Sequence, residues 1–308
     1  MTAIRIENLS KTYRDGWRRK AIAALRGLSL EVREGEIFGF LGPNGAGKTT
    51  TIHLMLDLIR PTAGAAFVFD QPAGDPKVRR RLGYLPESVN LPDYHSGRSL
   101  LEFYAALNGI PRPARAARID ELLKLLKLDE AAARRVTKYS KGMLQRLGFA
   151  QALLHDPDLI VLDEPTSSLD PVGRKEFRDI LLELKRQGKT VFISSHILSE
   201  VESVCDRVAI LAKGELVRIG TLSELSAPKS VNLIVRGVRE ALLDALAATT
   251  AEISLARGEA TIKCPDEATR AAVEKMLADH QVGIERTDVE TQSLEDIFFS
   301  AIATKKEP

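Results

Sequence analysis

The chain holds a run of residues whose types and order suit the binding of a polyphosphate: Gly42-Pro43-Asn44-Gly45-Ala46-Gly47-Lys48-Thr49, continued by Thr50. The apolar run Ile37 to Leu41 leads into it, and a segment patterned as an apolar-faced helix, Thr49 to Ile59, follows. Strand, glycine-rich turn and helix is the context a phosphate-binding loop requires. The glycines let the backbone curl so that successive N–H groups point inward at an anion. The helix start adds its own unpaired N–H groups and the positive end of its dipole. In that arrangement Lys48 reaches the β- and γ-phosphates of a nucleoside triphosphate, and the Thr49 hydroxyl ligates Mg²⁺. With glycine at ~7% of residues, such a run arises by accident in about one chain per hundred of this length. The strand before it and the helix after it lower that further.

A second stretch supplies negative charge. Leu159-Ile160-Val161-Leu162 is a continuous apolar run that ends in Asp163-Glu164-Pro165. Two adjacent carboxylates at the end of a buried strand are costly unless something positive sits beside them. Mg²⁺ on the nucleotide meets that need, with Asp163 holding it directly or through water. Glu164 then faces the γ-phosphate and orients or deprotonates the attacking water. A helix cap with an acidic neighbour would not need the apolar run before it.

The elements that position these residues alternate between strand and helix patterns. Ile4, Ile6 and Leu9, then Leu28, Leu30 and Val32, repeat with period two, so the chain opens with half-buried strands. Between them lies a basic turn, Arg14 to Lys20, holding the only tryptophan, Trp17. Ala66 to Phe69 and Leu82 to Leu85 read as strands, with Pro61 to Gly64 as a break between helix and strand. From about Ser88 to Pro157 the pattern is helical, with Pro111 and Pro113 separating the first two helices and a third from about Ser140 to Leu154. Strands at Thr190 to Ser194, Val208 to Leu211 and Leu216 to Ile219, with helices at Pro171 to Arg186 and Ile197 to Val204, return the pattern to α/β. Such alternation implies a mostly parallel sheet with helices on its faces. Beyond Ser226 the order becomes strand, helix, two paired strands around Arg257-Gly258, helix, strand: a ferredoxin-like arrangement, ending in a helix from Leu294 to Ile302.

Composition narrows the class. The chain has 308 residues, 28% of them charged, and a net charge of +2, so no strong basic field argues for nucleic acid. Residues from Ser226 onward carry 10 Lys and Arg against 14 Asp and Glu, a net −4 that leaves +6 on the first 225. An acidic module of this kind suits dimerisation or regulation better than nucleic-acid reading. Cys205 and Cys264 are far apart and read as buried thiols in a reducing compartment. No apolar run approaches the ~18–20 residues that span a bilayer. The expectation is a protein on the cytoplasmic side, at a membrane only through a partner.

A third motif decides the family. Tyr139-Ser140-Lys141-Gly142-Met143-Leu144-Gln145-Arg146 precedes the Asp163-Glu164 pair and opens a helix. It resembles the signature motif of the ABC ATPases, usually Leu-Ser-Gly-Gly-Gln, with Ser140 and Gly142 kept and Tyr139, Lys141 and Met143 different. Ser168-Leu169-Asp170 is similar to the D-loop of that family, His196 to its switch histidine, and Tyr13 to the A-loop aromatic that stacks on adenine. Glu87 stands where the family usually has the Q-loop glutamine, and this substitution adds a negative charge beside Asp163 and Glu164. The resemblance runs from Ile4 to about Leu225. Leu85-Pro86-Glu87, Ser140-Lys141-Gly142-Met143 and the ending Ser293-Leu294-Glu295-Asp296-Ile297-Phe298 are similar to a bacterial branch whose members pair with separately encoded ABC-2-type permeases, mostly exporters.

The resemblance implies a P-loop NTPase core with antiparallel β and helical subdomains over 1–225, the helical part at about 88–157, plus a small α+β domain over 226–308. It implies ATP hydrolysis with Mg²⁺ by a head-to-tail dimer with a second copy or a homologous subunit. Each ATP lies between Tyr13, the 42–50 loop, Asp163, Glu164 and His196 of one chain and Ser140, Lys141, Gly142 and Asp170 of the other. Metal ligation falls to Thr49 and Asp163, with Glu87 as a further candidate. Catalysis falls to Glu164 and His196. A polytopic membrane permease is the expected partner, docking on the loop around Asn90, Leu91 and Tyr94, and no nucleic acid is expected. The alternative is a soluble ABC ATPase acting on ribosomes or DNA. Those proteins usually carry two cassettes or long coiled-coil insertions, and this chain has neither.

Overall fold

The structure is a computed structural model that describes residues 1–14, 21–225, 228–238, 240–247, 249, 251–256, 259–291 and 294–303. The tip with Trp17, the turn Arg257-Gly258 and Ser293 lie outside the described residues. The chain divides into one compact unit over Met1–Leu222 and a second over Ser223–Ser300.

In the first unit two long strands, β1 (Thr2–Arg14) and β2 (Ala21–Arg33), pair antiparallel. They are followed by β3 (Ile37–Leu41), α1 (Lys48–Met55), β4 (Ala63–Val68), β5 (Gln71–Pro72), α2 (Pro76–Arg79) and β6 (Leu82–Leu85). Three helices come next: α3 (Gly97–Leu107), α4 (Arg112–Leu125) and α5 (Lys141–Leu153). The unit is completed by β7 (Leu159–Asp163), α6 (Pro171–Arg186), β8 (Thr190–Ser195), α7 (Leu198–Val204), β9 (Arg207–Ala212), β10 (Glu215–Thr221) and the short α8 (Leu222–Leu225), which straddles the division between the units.

Two sheets result. One is antiparallel, in the order β2-β1-β4-β5; the other runs β10-β9-β3-β8-β7-β6, parallel except for β10. Every residue of β3, β7 and β8 is buried. That explains why β3 and β7, up to Leu162, read as continuous apolar runs rather than alternating ones, since helices or a second sheet cover both faces. Phe38, Phe40 and Phe192 from β3 and β8 stack at the centre, with Ile4, Leu28 and Val32 of the antiparallel sheet in the same core. The carboxyl ends of β3, β7 and β8 therefore lie side by side, and the loops that leave them meet.

Three local expectations change. The helix after the glycine-rich loop stops at Met55 rather than Ile59, because Asp57 turns left-handed at φ 54 and cannot continue it. Gly64 is no break: it sits inside β4 at φ 78, where a Cβ would stand 2.3 Å from the Asn8 carbonyl of β1. Its lack of a side chain lets the two strands approach across a register shift between Glu7 and Ser10. Pro111 caps α4, whereas Pro113 lies inside its first turn, where no backbone donor is required. The helix α2, entered by Asp75-Pro76 with Asp75 accepting from Lys77 N, has a cap signature that the apolar pattern alone passes over.

The second unit contains β11 (Pro228–Arg236), α9 (Glu240–Ala247), β12 (Glu252–Ala256), β13 (Glu259–Cys264), α10 (Glu267–Asp279) and β14 (Ile284–Thr291), and most of α11 (Leu294–Ala303). Its antiparallel sheet has the order β12-β13-β11-β14. Val231, Leu233 and Val235 alternate onto one face and pack with Leu242, Leu246, Val273 and Leu277 of α9 and α10 in a core of their own. Cys205 and Cys264 are both free and buried. Among the described residues no helix is long and apolar enough to cross a membrane.

Candidate functional site

The loop that leaves β3 closes around its own lysine. A Cβ on Gly42 would stand 2.6 Å from the Leu211 carbonyl of β9, so only glycine lets the chain leave the sheet there. Ala46 N donates to Pro43 O at 3.1 Å and closes the turn, and Gly47 enters the helix at φ 110. Lys48 is 7% exposed; its Nζ donates to Gly42 O at 2.7 Å and lies 3.2 Å from Glu164 Oε1. No side chain caps α1, so the first-turn N–H groups are left for an acceptor from outside the chain.

Asp163 ends β7, which β8 separates from β3, and Glu164 follows it. Asp163 is 1% exposed and accepts from the Ser194 hydroxyl, its register partner on β8. Glu164 takes up left-handed backbone, φ 48, and its N–H donates to both the carbonyl and the hydroxyl of Ser194 at 3.2 Å. That conformation is strained for a residue with a side chain. It lets Glu164 Oε2 meet His196 Nδ1 at 2.8 Å while Oε1 faces Lys48. Oε1 is buried, and the Lys48 approach does not have the geometry of a hydrogen bond, so among the described residues this oxygen has no hydrogen-bond donor. A buried carboxylate oxygen without a donor is costly, and a water or a ligand hydroxyl would relieve it.

Tyr84 on β6 is a further member of the neighbourhood. Burial, then the negative charges of Asp163 and Glu87, push its phenol far above the usual value, so it stays protonated. Its hydroxyl lies 3.5 Å from His53 Nε2 of α1. Glu87 itself is exposed. Among the described residues no three His, Cys, Asp or Glu side chains converge to hold a metal. Thr49 and Asp163 offer the hard oxygen donors that Mg²⁺ takes, and the glycine cradle with its uncapped helix fits a triphosphate.

The antiparallel sheet brings Tyr13 to the loop. The Ala24 carbonyl of β2 would be 2.7 Å from a Cβ on Gly47, and Tyr13 pairs with Ile22, two residues before it on that strand. Tyr13 is 41% exposed, with Lys11 Nζ 5.2 Å over its ring. Its free face is available to a planar base.

Ser140, Lys141, Gly142 and Asp170 gather elsewhere. Ser140 caps α5, accepting from Met143 N at 3.2 Å, and Asp170 caps α6, accepting from Gly173 N at 2.8 Å. Gly142 lies over Ser168 and Leu169. Among the described residues no hydrogen bond or ion pair joins Ser140, Lys141 or Gly142 to Lys48, Asp163, Glu164 or His196. The chain thus displays two separate clusters, one rich in phosphate-binding and acid–base groups, the other a capped helix start. Ser194 belongs to the first cluster and was not singled out from sequence; its only signal is two serines at the end of a strand just before His196.

Residues 25–167 match the family model described as "ABC transporter". An ABC transporter ATP-binding protein of Nostoc sp. is 51% identical over 73% of this chain and 68% of its own length. The ABC transporter ATP-binding protein YxlF of Bacillus subtilis is 36% identical over 96% of this chain and 98% of its own. A fluoroquinolones export ATP-binding protein of Mycobacterium tuberculosis is 38% identical over 74% of this chain and 73% of its own. Among solved structures, a dimeric ATP-binding cassette in a post-hydrolysis state, bound to ADP and Pi, superposes with a TM-score of 0.66 at 28% identity, over 71% of this chain and 98% of that one.

Proposed function

The chain belongs to the ABC transporter ATP-binding protein family, and on that premise we propose how its residues divide the hydrolysis of ATP and what that hydrolysis drives. It is an ATP-driven transporter ATPase of the P-loop NTPase fold. Its substrate is ATP and its metal Mg²⁺, which neutralises phosphate charge when bound. Thr49 and Asp163 would hold that ion, with Ser194 fixing the Asp163 carboxylate.

The observation that carries the division of labour is Glu164 Oε1, buried beside Lys48 and lacking a hydrogen-bond donor among the described residues. A triphosphate in the glycine cradle offers Lys48 a stronger counter-charge than Glu164 does. Lys48 then turns to the phosphates, and Oε1 is left to accept a proton from the attacking water. His196 holds the other oxygen and keeps the carboxylate aimed. Tyr13 stacks on the base. Ser140, Lys141 and Gly142 at the start of α5, with Asp170, serve the γ-phosphate held by a partner chain, so that neither cluster hydrolyses ATP alone.

The dimer works on a separate polytopic membrane protein, at the cytoplasmic face of the membrane. The loop with Asn90, Leu91 and Tyr94, the last 72% exposed, is its docking site. Export is the direction favoured by Leu85-Pro86-Glu87 and Ser140-Lys141-Gly142-Met143, and by likeness to the fluoroquinolones export protein. Residues 226–308, acidic as a group, form an accessory module for dimerisation or regulation. The test is recovery of tagged Glu164→Gln chain from detergent-solubilised native membranes with ATP present. A stoichiometric polytopic membrane protein is expected. Ribosomes, or no membrane protein, would move the function to a soluble ATPase.

A further inference from the structure

The starts of α5 and α6 touch, and the contact continues for another turn along both helices. A Cβ on Gly142 would stand 3.5 Å from the Ser168 carbonyl and 3.5 Å from Leu169 Cδ2. Four residues further along α5, and so on the same face, Arg146 lays Nη2 on Glu176 Oε2 at 2.8 Å and points Nη1 at the Leu126 carbonyl at 3.3 Å. The other Glu176 oxygen takes Lys127 Nζ at 2.7 Å. Gly173 leaves room for the crossing: a Cβ there would stand 2.8 Å from Asp170 Oδ1 and 3.3 Å from Arg146 Nη2. The guanidinium therefore runs past the capped first turn of α6 before it reaches Glu176.

We propose that Arg146 and Glu176 are a positioning pair that locks the start of α5, with Ser140, Lys141 and Gly142, to the start of α6, with Asp170. The two elements a chain presents to its partner's nucleotide then move as one body. This inference rests on the head-to-tail reading above. Stability alone is a weak reason for the contact, since ion pairs this accessible (22% and 24% side-chain exposure) contribute about 0–1 kcal/mol. Direction is the stronger one. A guanidinium is a planar fork, and here it is shared between a carboxylate on α6 and a carbonyl at the end of α4. Neither residue touches the loop around Lys48, so binding of ATP to a single chain does not need them.

That separation supplies the test. In the Glu164→Gln background, ATP-driven dimerisation is followed by light scattering after gel filtration. ATP affinity of the single chain is read with a fluorescent ATP analogue at concentrations too low for dimers. Arg146→Met is expected to raise the ATP concentration for half-dimerisation on the order of tenfold. Analogue affinity should stay within about twofold of the parent, so that the loss falls on assembly alone. Arg146→Lys keeps the charge without the fork and should fall between. If Arg146→Met loses analogue binding as well, it has unfolded, and Glu176→Gln, which keeps shape and hydrogen bonding, takes its place. Dimerisation of either folded variant at the parent's ATP concentration would overturn the pair's role. Failure of the Glu164→Gln parent to dimerise would instead overturn the head-to-tail reading.

Discussion

Replacing Ser194 with alanine removes one oxygen from a site that is fully buried, and the consequences can be worked out from two contacts. The hydroxyl donates to Asp163 Oδ1 and accepts from Glu164 N. The Glu164 N–H keeps a second acceptor, the Ser194 carbonyl at 3.2 Å, so its loss is partial. Asp163, 1% exposed, loses a charge-assisted bond, worth roughly 1.5–3 kcal/mol when the charged partner stays buried. Taking about 2 kcal/mol, and about 2–4 °C per kcal/mol for a domain of this size, the first unit should melt roughly 4–8 °C lower. Mg²⁺ with ATP should raise both melting points without closing that gap, because the ion gives Asp163 a new partner in the variant as in the parent. The assay is differential scanning calorimetry of both chains, with and without Mg-ATP, beside steady-state ATPase. Turnover should fall more than ATP affinity, since the hydroxyl orients the two carboxylates and not the loop around Lys48. A melting point within a degree of the parent, with unchanged turnover, would refute the claim that Ser194 holds the acidic pair.

Two further outcomes follow from the same geometry. Gly42→Ala drives a Cβ to within 2.6 Å of the Leu211 carbonyl, so the loop must shift, and fluorescent ATP-analogue binding should be lost while the second unit's melting transition is unaffected. His155 is the basis of an acid sensitivity: burial, reinforced by Arg118, lowers its pKa against the opposing pull of the bond to the Leu82 carbonyl. The native state therefore prefers the neutral ring, while the unfolded chain protonates near pH 6.5. Its contribution to stability is complete above that pH and declines as pH falls below it. His155→Gln should flatten the dependence of melting temperature on pH between 7 and about 5.

Much of the architecture was legible because it is written locally. The runs Ile37 to Leu41 and Leu159 to Leu162 are apolar throughout because both faces of their sheet are covered. Each ends where the chain must turn, so the residues with chemistry appear directly after the strand that carries them. Ser194 was not legible, since its contact with Asp163 depends on the parallel register of β7 against β8, strands separated by a whole helix. The left-handed Asp57 and the strand position of Gly64 were missed for related reasons. One ends a helix that apolar spacing would prolong; the other is set by close approach to Asn8, which no neighbour in sequence announces. Lys48 facing Glu164 is likewise a product of the fold: motif reading supplies the roles of the two residues separately, and only the sheet order, with β8 alone between β3 and β7, brings them to 3.2 Å.

The central claim is that one chain's Lys48 cluster and another's Ser140 cluster make a single site. Mixing two inactive chains tests it most directly. Lys48→Ala keeps an intact α5 start, and Gly142→Asp keeps an intact nucleotide loop. Half of the dimers formed from an equal mixture are mixed, and each holds one complete site of two, so turnover should recover to about a quarter of wild type. Recovery should vanish when both substitutions are placed in the same chain and mixed with itself. No recovery from the mixture of two folded, ATP-dimerising chains, or full activity of Gly142→Asp alone, would contradict a site shared between chains.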